Sequence, residues 1–173
     1  VGSPFDFTNG DAITLEAWVK VDAARAGENL YIIGKGRTGA AGFAPDNQNW
    51  ALRLRRVGGQ YAVNFLFATP RRKDAGKSDA HWHRWTTRTG FDAATGWHHV
   101  AVTYRFGDPA SIRGWLDGRV LPGGWDMGGP TAEAPVVDDD AIWIGSSMKG
   151  SAGASFRGSL DAVAVHREIV GDA

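Results

Sequence analysis

Apolar and polar residues alternate with a period of two along much of the chain. From Asp11 to Val21, Ile13, Leu15, Ala17, Val19 and Val21 share one face, and Thr14, Glu16, Trp18 and Lys20 share the other. That is the pattern of a half-buried β-strand. Leu30 to Ile33 is a short apolar run stopped by Gly34 and Gly36. Trp50, Leu52 and Leu54 alternate with Ala51, Arg53 and Arg55. Tyr61, Val63, Phe65 and Phe67 alternate in the same way after Gly58-Gly59, so these two runs form a hairpin. Trp97–Tyr104 and Ser111–Leu116 are further strands, and Asp117-Gly118 turns the chain back through Arg119–Leu121. Ala141–Ile144 and Ser159–Val165 complete the set. Gly34–Gln48, Pro70–Asp79 and Pro122–Asp140 read as long irregular stretches, and helical periodicity is confined to the tail after His166. About nine or ten antiparallel strands without an internal repeat predict one all-β domain over 1–173, a two-sheet sandwich.

Composition sharpens this picture. The 173 residues include 24 glycines and eight tryptophans but four glutamates and two methionines, a bias toward turns and against helices. Nineteen basic and nineteen acidic residues balance to zero, which argues against a general nucleic-acid binder. With no cysteine, disulfides, thiolate metal sites and cysteine nucleophiles are excluded. No apolar run approaches the roughly 18 residues of a membrane span. A start at Val1 without methionine reads as a piece excised from a larger protein.

Five blocks carry a family resemblance. Gly10-Asp11-Ala12-Ile13-Thr14-Leu15-Glu16-Ala17-Trp18-Val19-Lys20, Gly96-Trp97-His98-His99-Val100-Ala101-Val102-Thr103-Tyr104 and Trp115-Leu116-Asp117-Gly118 come first. Ile142-Trp143-Ile144-Gly145 and Phe156-Arg157-Gly158-Ser159-Leu160-Asp161-Ala162-Val163 follow in the order expected. The chain resembles laminin-G-like domains of the concanavalin A-like lectin/glucanase superfamily. The resemblance implies an antiparallel jelly-roll β-sandwich, often calcium-bearing, from a secreted, periplasmic or cell-surface protein. Such domains begin with a further strand on which metal site and sheet edge draw, and this chain starts at or after its end. On the family pattern Asp161 is a calcium ligand, with the turn Asn9-Gly10-Asp11 brought beside it. The alternative for Asp11 and Asp161 is turn capping and backbone hydrogen bonding.

The superfamily's glycosidases need two carboxylates about 5–5.5 Å apart for a retaining mechanism. No two glutamates lie within four residues of each other, Glu16 is alone on its strand, and Asp138-Asp139-Asp140 reads as a solvated turn. His81 and His83 could pinch a transition metal but lack a third ligand. The most distinctive stretch is Arg71 to Arg88, where tryptophans, histidines and basic residues crowd together. Trp82, His83, Arg84 and Trp85 suit sugar binding, with flat rings for C–H faces and polar groups for hydroxyls. Period-2 alternation opposes this grouping, since Trp82 would face away from His83 and Trp85. Of the other tryptophans, Trp18, Trp50, Trp97, Trp115 and Trp143 read mostly as core. Trp125, in a glycine-rich loop, joins the binding candidates.

The expectation is a non-catalytic module that binds carbohydrate, with a structural calcium ion. Its partners would be a glycan or an extracellular protein and the other domains of a parent chain, without nucleic acid or membrane insertion. The alternatives are a protein–protein adhesion module and a glycoside hydrolase or lyase pairing Glu16 with an aspartate or histidine.

Overall fold

A computed structural model describes residues 3–22, 28–71 and 81–171. Eleven strands are found among them: β1 (Ala12–Val21), β2 (Asn29–Lys35), β3 (Trp50–Val57), β4 (Gln60–Ala68), β5 (Trp82–Phe91), β6 (His98–Arg105), β7 (Asp108–Leu116), β8 (Arg119–Leu121), β9 (Gly123–Met127), β10 (Ile142–Ile144) and β11 (Gly158–His166). They form a five-stranded sheet ordered β11-β1-β6-β7-β8 and a six-stranded sheet ordered β10-β2-β3-β4-β5-β9. All ladder pairings are antiparallel. The all-β sandwich read from alternation is the observed fold.

The core lies between the sheets. Ile13, Leu15, Ala17 and Val19 of β1 face Leu52, Leu54, Val63, Phe65 and Phe67 of the six-stranded sheet, all buried. Both expected hairpin turns form, with Gly58 and Gly59 joining β3 to β4 and Asp117 and Gly118 joining β7 to β8. All four residues have positive φ, at 56°, 90°, 50° and 75°, the demand of a type I′ turn that glycine meets without strain.

Two strands depart from the expectation. β5 and β9 complete one side of the six-stranded sheet, although neither shows clean alternation in sequence. β9 falls inside the stretch read as irregular. Its glycines serve the packing: a Cβ on Gly123 would sit 2.1 Å from the Trp85 ring, and one on Gly114 of β7 2.6 Å from it. The described tail to residue 171 is not helical. Most of the Pro70–Asp79 stretch, residues 72–79, lies outside the described residues.

The tryptophans also depart from expectation. Trp50 is fully buried, but Trp18 and Trp97 are 44% and 45% exposed. Trp18 lies on the outer side of the five-stranded sheet, and Trp97 directly precedes β6. No helix among the described residues is long and apolar enough to cross a membrane.

Candidate functional site

Strand parity divides the distinctive cluster. His83 and Trp85 point inward: His83 stacks on Phe67 at 5.2 Å, and Trp85 is 5% exposed within the core. Trp125 pairs with Trp85 across β5 and β9 and packs edge-on against Phe67, His83 and Tyr104. Of these three expected ligand contacts, His83 and Trp85 are buried, and Trp125 is partly buried against the core. The His83 Nδ1 donates to the Gly129 carbonyl (2.9 Å), and burial lowers its pKa, which favours the neutral ring. His81 forms no metal pair with it, since its Nε2 meets Asp46 Oδ2 at 3.1 Å. Trp82 and Arg84 point outward, as alternation requires.

The outer face they join was not assembled from sequence. Tyr31 of β2, Arg53 of β3, Leu66 of β4 and Trp82 and Arg84 of β5 meet there, with Arg37 entering from the loop after β2. Arg37, Arg53, Leu66, Trp82 and Arg84, with Asn29 and Met127, bound a cavity of about 290 Å³, and Tyr31 lies buried beneath the Arg53 guanidinium. Arg53 is 5% exposed in the middle of the sheet. Its Nε donates to Asn64 Oδ1 (2.8 Å), its guanidinium lies 5.1 Å over the Tyr31 ring, and its Nη2 is buried with no partner among the described residues. Desolvation lowers the Arg53 pKa, and its interaction with Tyr31 offsets this only in part.

Arg37 lies 4.7 Å over the Trp82 ring, and its Nη1 donates to Tyr31 Oη (3.2 Å). Its backbone has a φ of 58°, in the left-handed region that costs a side-chain-bearing residue roughly 1–2 kcal/mol. The conformation is held from behind: Arg37 N–H donates to Asn47 Oδ1 (2.7 Å), and Asn47 Nδ2 donates to Asp138 (2.6 Å) and Asp140 (3.0 Å). Asp126 takes up two other cations, Arg84 through its Nε (2.7 Å) and Arg55 through its Nη1 (2.5 Å). Arg37 and Arg53 have no acidic partner among the described residues. The Tyr31 hydroxyl registers the resulting field. Burial would raise its pKa, but the charges of Arg53 and Arg37 outweigh burial and lower it. The face thus combines aromatic surface with two uncompensated, forked donors, which suit a planar carboxylate.

The expected calcium ligands do not assemble. In the β1–β11 register Asp161 lies opposite Trp18. That is seven residues along the strand from Asp11, or roughly 23 Å at 3.3 Å per residue. The Asp161 Oδ1 accepts the N–H of Ala162 (2.7 Å). Asp11 Oδ2 accepts from Thr8 N (2.8 Å) and Thr8 Oγ1 (3.0 Å) and meets Arg167 Nη2 at 3.3 Å. The backbone hydrogen bond from Thr8 is the main cause of its lowered pKa. Asn9 Nδ2 donates to the Ala132 carbonyl (3.1 Å), and the Gly10 carbonyl accepts from Arg105 (2.7 Å). No group of three or more metal-ligating acids or histidines occurs among the described residues. This set does not fit one calcium ion.

An antiparallel sandwich of this strand order, with a polar and aromatic surface on the outside of one sheet, is the architecture of lectin-type domains. A family model described as the concanavalin A-like lectin/glucanases superfamily matches residues 2–172, and the chain belongs to that family. A search of curated proteins finds no match. Among solved structures the chain is similar to the CBM40 domain of the Ruminococcus gnavus IT-sialidase. With α2,6-sialyllactose bound, that domain superposes with a TM-score of 0.60 at 14% identity, covering 96% of this chain and 81% of the other. The α2,3-sialyllactose complex gives 0.59 at 15%, covering 96% and 80%. The domain reported without a named ligand gives 0.57 at 15%, covering 95% and 79%. At such identities the likeness establishes the fold.

Proposed function

We propose that this domain is a non-catalytic carbohydrate-binding module whose six-stranded sheet receives an acidic sugar on its outer face. The observation that carries the reading is Arg53, a guanidinium buried in mid-sheet with one nitrogen unpartnered, beside an Arg37 that also lacks an acid. A sugar carboxylate supplies the missing acceptors, and the Trp82 ring and Leu66 offer apolar surface to the sugar's C–H groups. At about 4 Å and an effective dielectric of 20, each unit charge contributes roughly 4 kcal/mol of attraction before desolvation is counted. The sialyllactose bound by the CBM40 neighbours carries such a carboxylate, which supports the choice of ligand class. The reading includes no calcium ion. It places the module in a secreted, periplasmic or cell-surface protein, where such glycans are met.

Calorimetric titration with sialyllactose, and with lactose as the uncharged control, tests the reading. Sialyllactose binds and lactose does not bind this face, and Arg37→Met or Trp82→Ala removes the sialyllactose signal in a folded protein. Equal binding of both sugars, or sialyllactose binding that survives both substitutions, overturns it.

A further inference from the structure

The other sheet also presents a built surface. On the outside of the five-stranded sheet, parity gathers Thr14, Glu16 and Trp18 of β1, His99 and Ala101 of β6, Trp115 of β7 and His166 of β11. The end of the chain crosses this surface. Thr14 Oγ1 donates to the Glu168 carbonyl (2.6 Å) and accepts from Val170 N (3.0 Å). Between Val170 and Gly171 on one side and Trp115 on the other lies a cavity of about 240 Å³, with Ala101, Glu16 and His99 also lining it.

We propose that this cavity, extended by the exposed Trp18 ring, is a second binding site and takes the neutral ring of a sugar. The polar groups specify the class. Glu16 accepts at both oxygens, from His99 Nε2 (3.1 Å) and His166 Nε2 (2.9 Å). Both imidazoles therefore carry their proton on Nε2, and in the neutral rings Nδ1 is left as an acceptor. The Trp115 Nε1 is a buried donor with no partner among the described residues. No arginine or lysine lines the cavity, so a ligand carboxylate would meet the Glu16 charge without a cation to offset it. A hydroxyl both donates and accepts, and so satisfies the indole N–H and the imidazole nitrogens alike. The aromatic floor fits the same ligand: the Trp18 ring lies 5.4 Å from His99 and is 44% exposed. The size fits one ring, being below the roughly 300 Å³ at which pockets for drug-sized ligands begin. The two sheets would then select opposite chemistries, acid on one face and neutral polyol on the other, and the two sites are independent.

The test follows the indole N–H signals of ¹⁵N-labelled protein during titration with methyl glycosides of galactose, glucose, mannose and N-acetylglucosamine. At least one glycoside shifts the Trp115 and Trp18 signals saturably, with a dissociation constant near about 1 mM, and leaves the Trp82 signal in place. Trp18→Ala, an exposed position, weakens that binding by roughly tenfold or more, and Trp115→Phe, which deletes the donor and shortens the ring but keeps an aromatic side chain, does the same. Arg53→Met leaves it unchanged. Trp115 and Trp18 signals that stay fixed with all four glycosides overturn the proposal. So does an affinity that neither tryptophan substitution alters in a protein whose spectrum remains dispersed.

Discussion

Arg53→Met separates an arginine held for a ligand from one held for the fold. Met keeps an unbranched stem and deletes the guanidinium. Removing a buried charge that has no acidic partner relieves its desolvation cost, a gain on the order of the 1–4 kcal/mol seen when buried ion pairs are replaced by apolar groups of similar volume. Against this, Asn64 Oδ1 loses the donor it meets at 2.8 Å, which costs about 1–3 kcal/mol for a buried acceptor. The cation–π contact with Tyr31 is lost, worth about 0.5–2 kcal/mol, and a thioether on the same ring restores about 0.3–1.5 kcal/mol. These effects nearly cancel, so the variant's stability stays within about 2 kcal/mol of the parent. A fully bonded structural arginine behaves otherwise, with a loss of about 3–5 kcal/mol. Binding moves much further. Removing one partner of a buried, charge-assisted hydrogen bond costs about 2–5 kcal/mol, a weakening of sialyllactose affinity of roughly thirtyfold to several thousandfold. Urea denaturation gives the first quantity and calorimetric titration the second. A stability loss above about 3 kcal/mol would show that the guanidinium is satisfied within the fold. Unchanged affinity would remove the carboxylate from this face.

Three further outcomes follow from packing and titration. Gly123→Ala, whose Cβ would meet the Trp85 ring at 2.1 Å, destabilises by about 1–3 kcal/mol in urea denaturation. Gly124→Ala, with nothing within 4 Å of its Cβ, stays within about 0.5 kcal/mol, and equal effects would contradict the tight fit of β9 against Trp85. Burial would raise the Asp140 pKa, but hydrogen bonds from Thr38, Asn47 and Ala141 outweigh it and hold it below 3.8. Its folded pKa is thus lower than its unfolded one, so its contribution is complete above the unfolded pKa and is lost as pH falls through the folded value. Urea midpoints fall as pH drops from about 5 toward 3, and Asp140→Asn reduces that slope; an unaltered slope would assign the acid sensitivity elsewhere. Saturating calcium and chelator give the same melting temperature, because Asp11 and Asp161 are far apart and Asp11 is already engaged by Thr8 and Arg167. A calcium-dependent rise that chelator abolishes would reveal ligands outside the expected set.

Most of the fold was legible because one face of each strong strand packs against the opposite sheet, which writes a period of two into the apolar residues of β1, β3 and β4. β5 and β9 were not legible for a physical reason. β5 buries His83 beside Trp85, and β9 brings glycines where the Trp85 ring leaves no room for a Cβ. Neither choice resembles an alternating strand. The site was half legible. Crowding of aromatic and basic residues pointed to Arg71–Arg88, and alternation already warned that Trp82 and Trp85 would part. Tyr31, Arg37 and Arg53 join Trp82 only through the pairings of β2, β3, β4 and β5 and the loop after β2. A buried arginine at the polar position of an alternating strand looks in sequence like any solvated one. The calcium set failed through register, since a motif places Asp161 on β11 but not its height against β1.

The two arginines of the proposed acid-binding face are both held in states that folding alone does not favour. Arg53 keeps a charge in mid-sheet with an unpartnered nitrogen, and Arg37 holds a left-handed backbone. Local rules broken without an internal compensation mark functional positions. The surrounding residues reduce the motion of both side chains. Asn64 fixes Arg53 through Nε, while its own Nδ2 donates to the Trp85 carbonyl (3.1 Å) and Thr86 Oγ1 (2.7 Å). Asn47 fixes the Arg37 backbone against Asp138 and Asp140. Ordering a free arginine side chain on binding costs about 0.5–1.5 kcal/mol, and here much of that ordering is already present. Asp126 meanwhile pairs with both Arg84 and Arg55 at the rim and offsets part of their charge, so Arg37 and Arg53 are the guanidiniums of the cavity without an acidic partner among the described residues. Such an arrangement favours a compact anion with two acceptor oxygens over a diffuse polyanion, which would engage all four cations and compete with Asp126 for two of them.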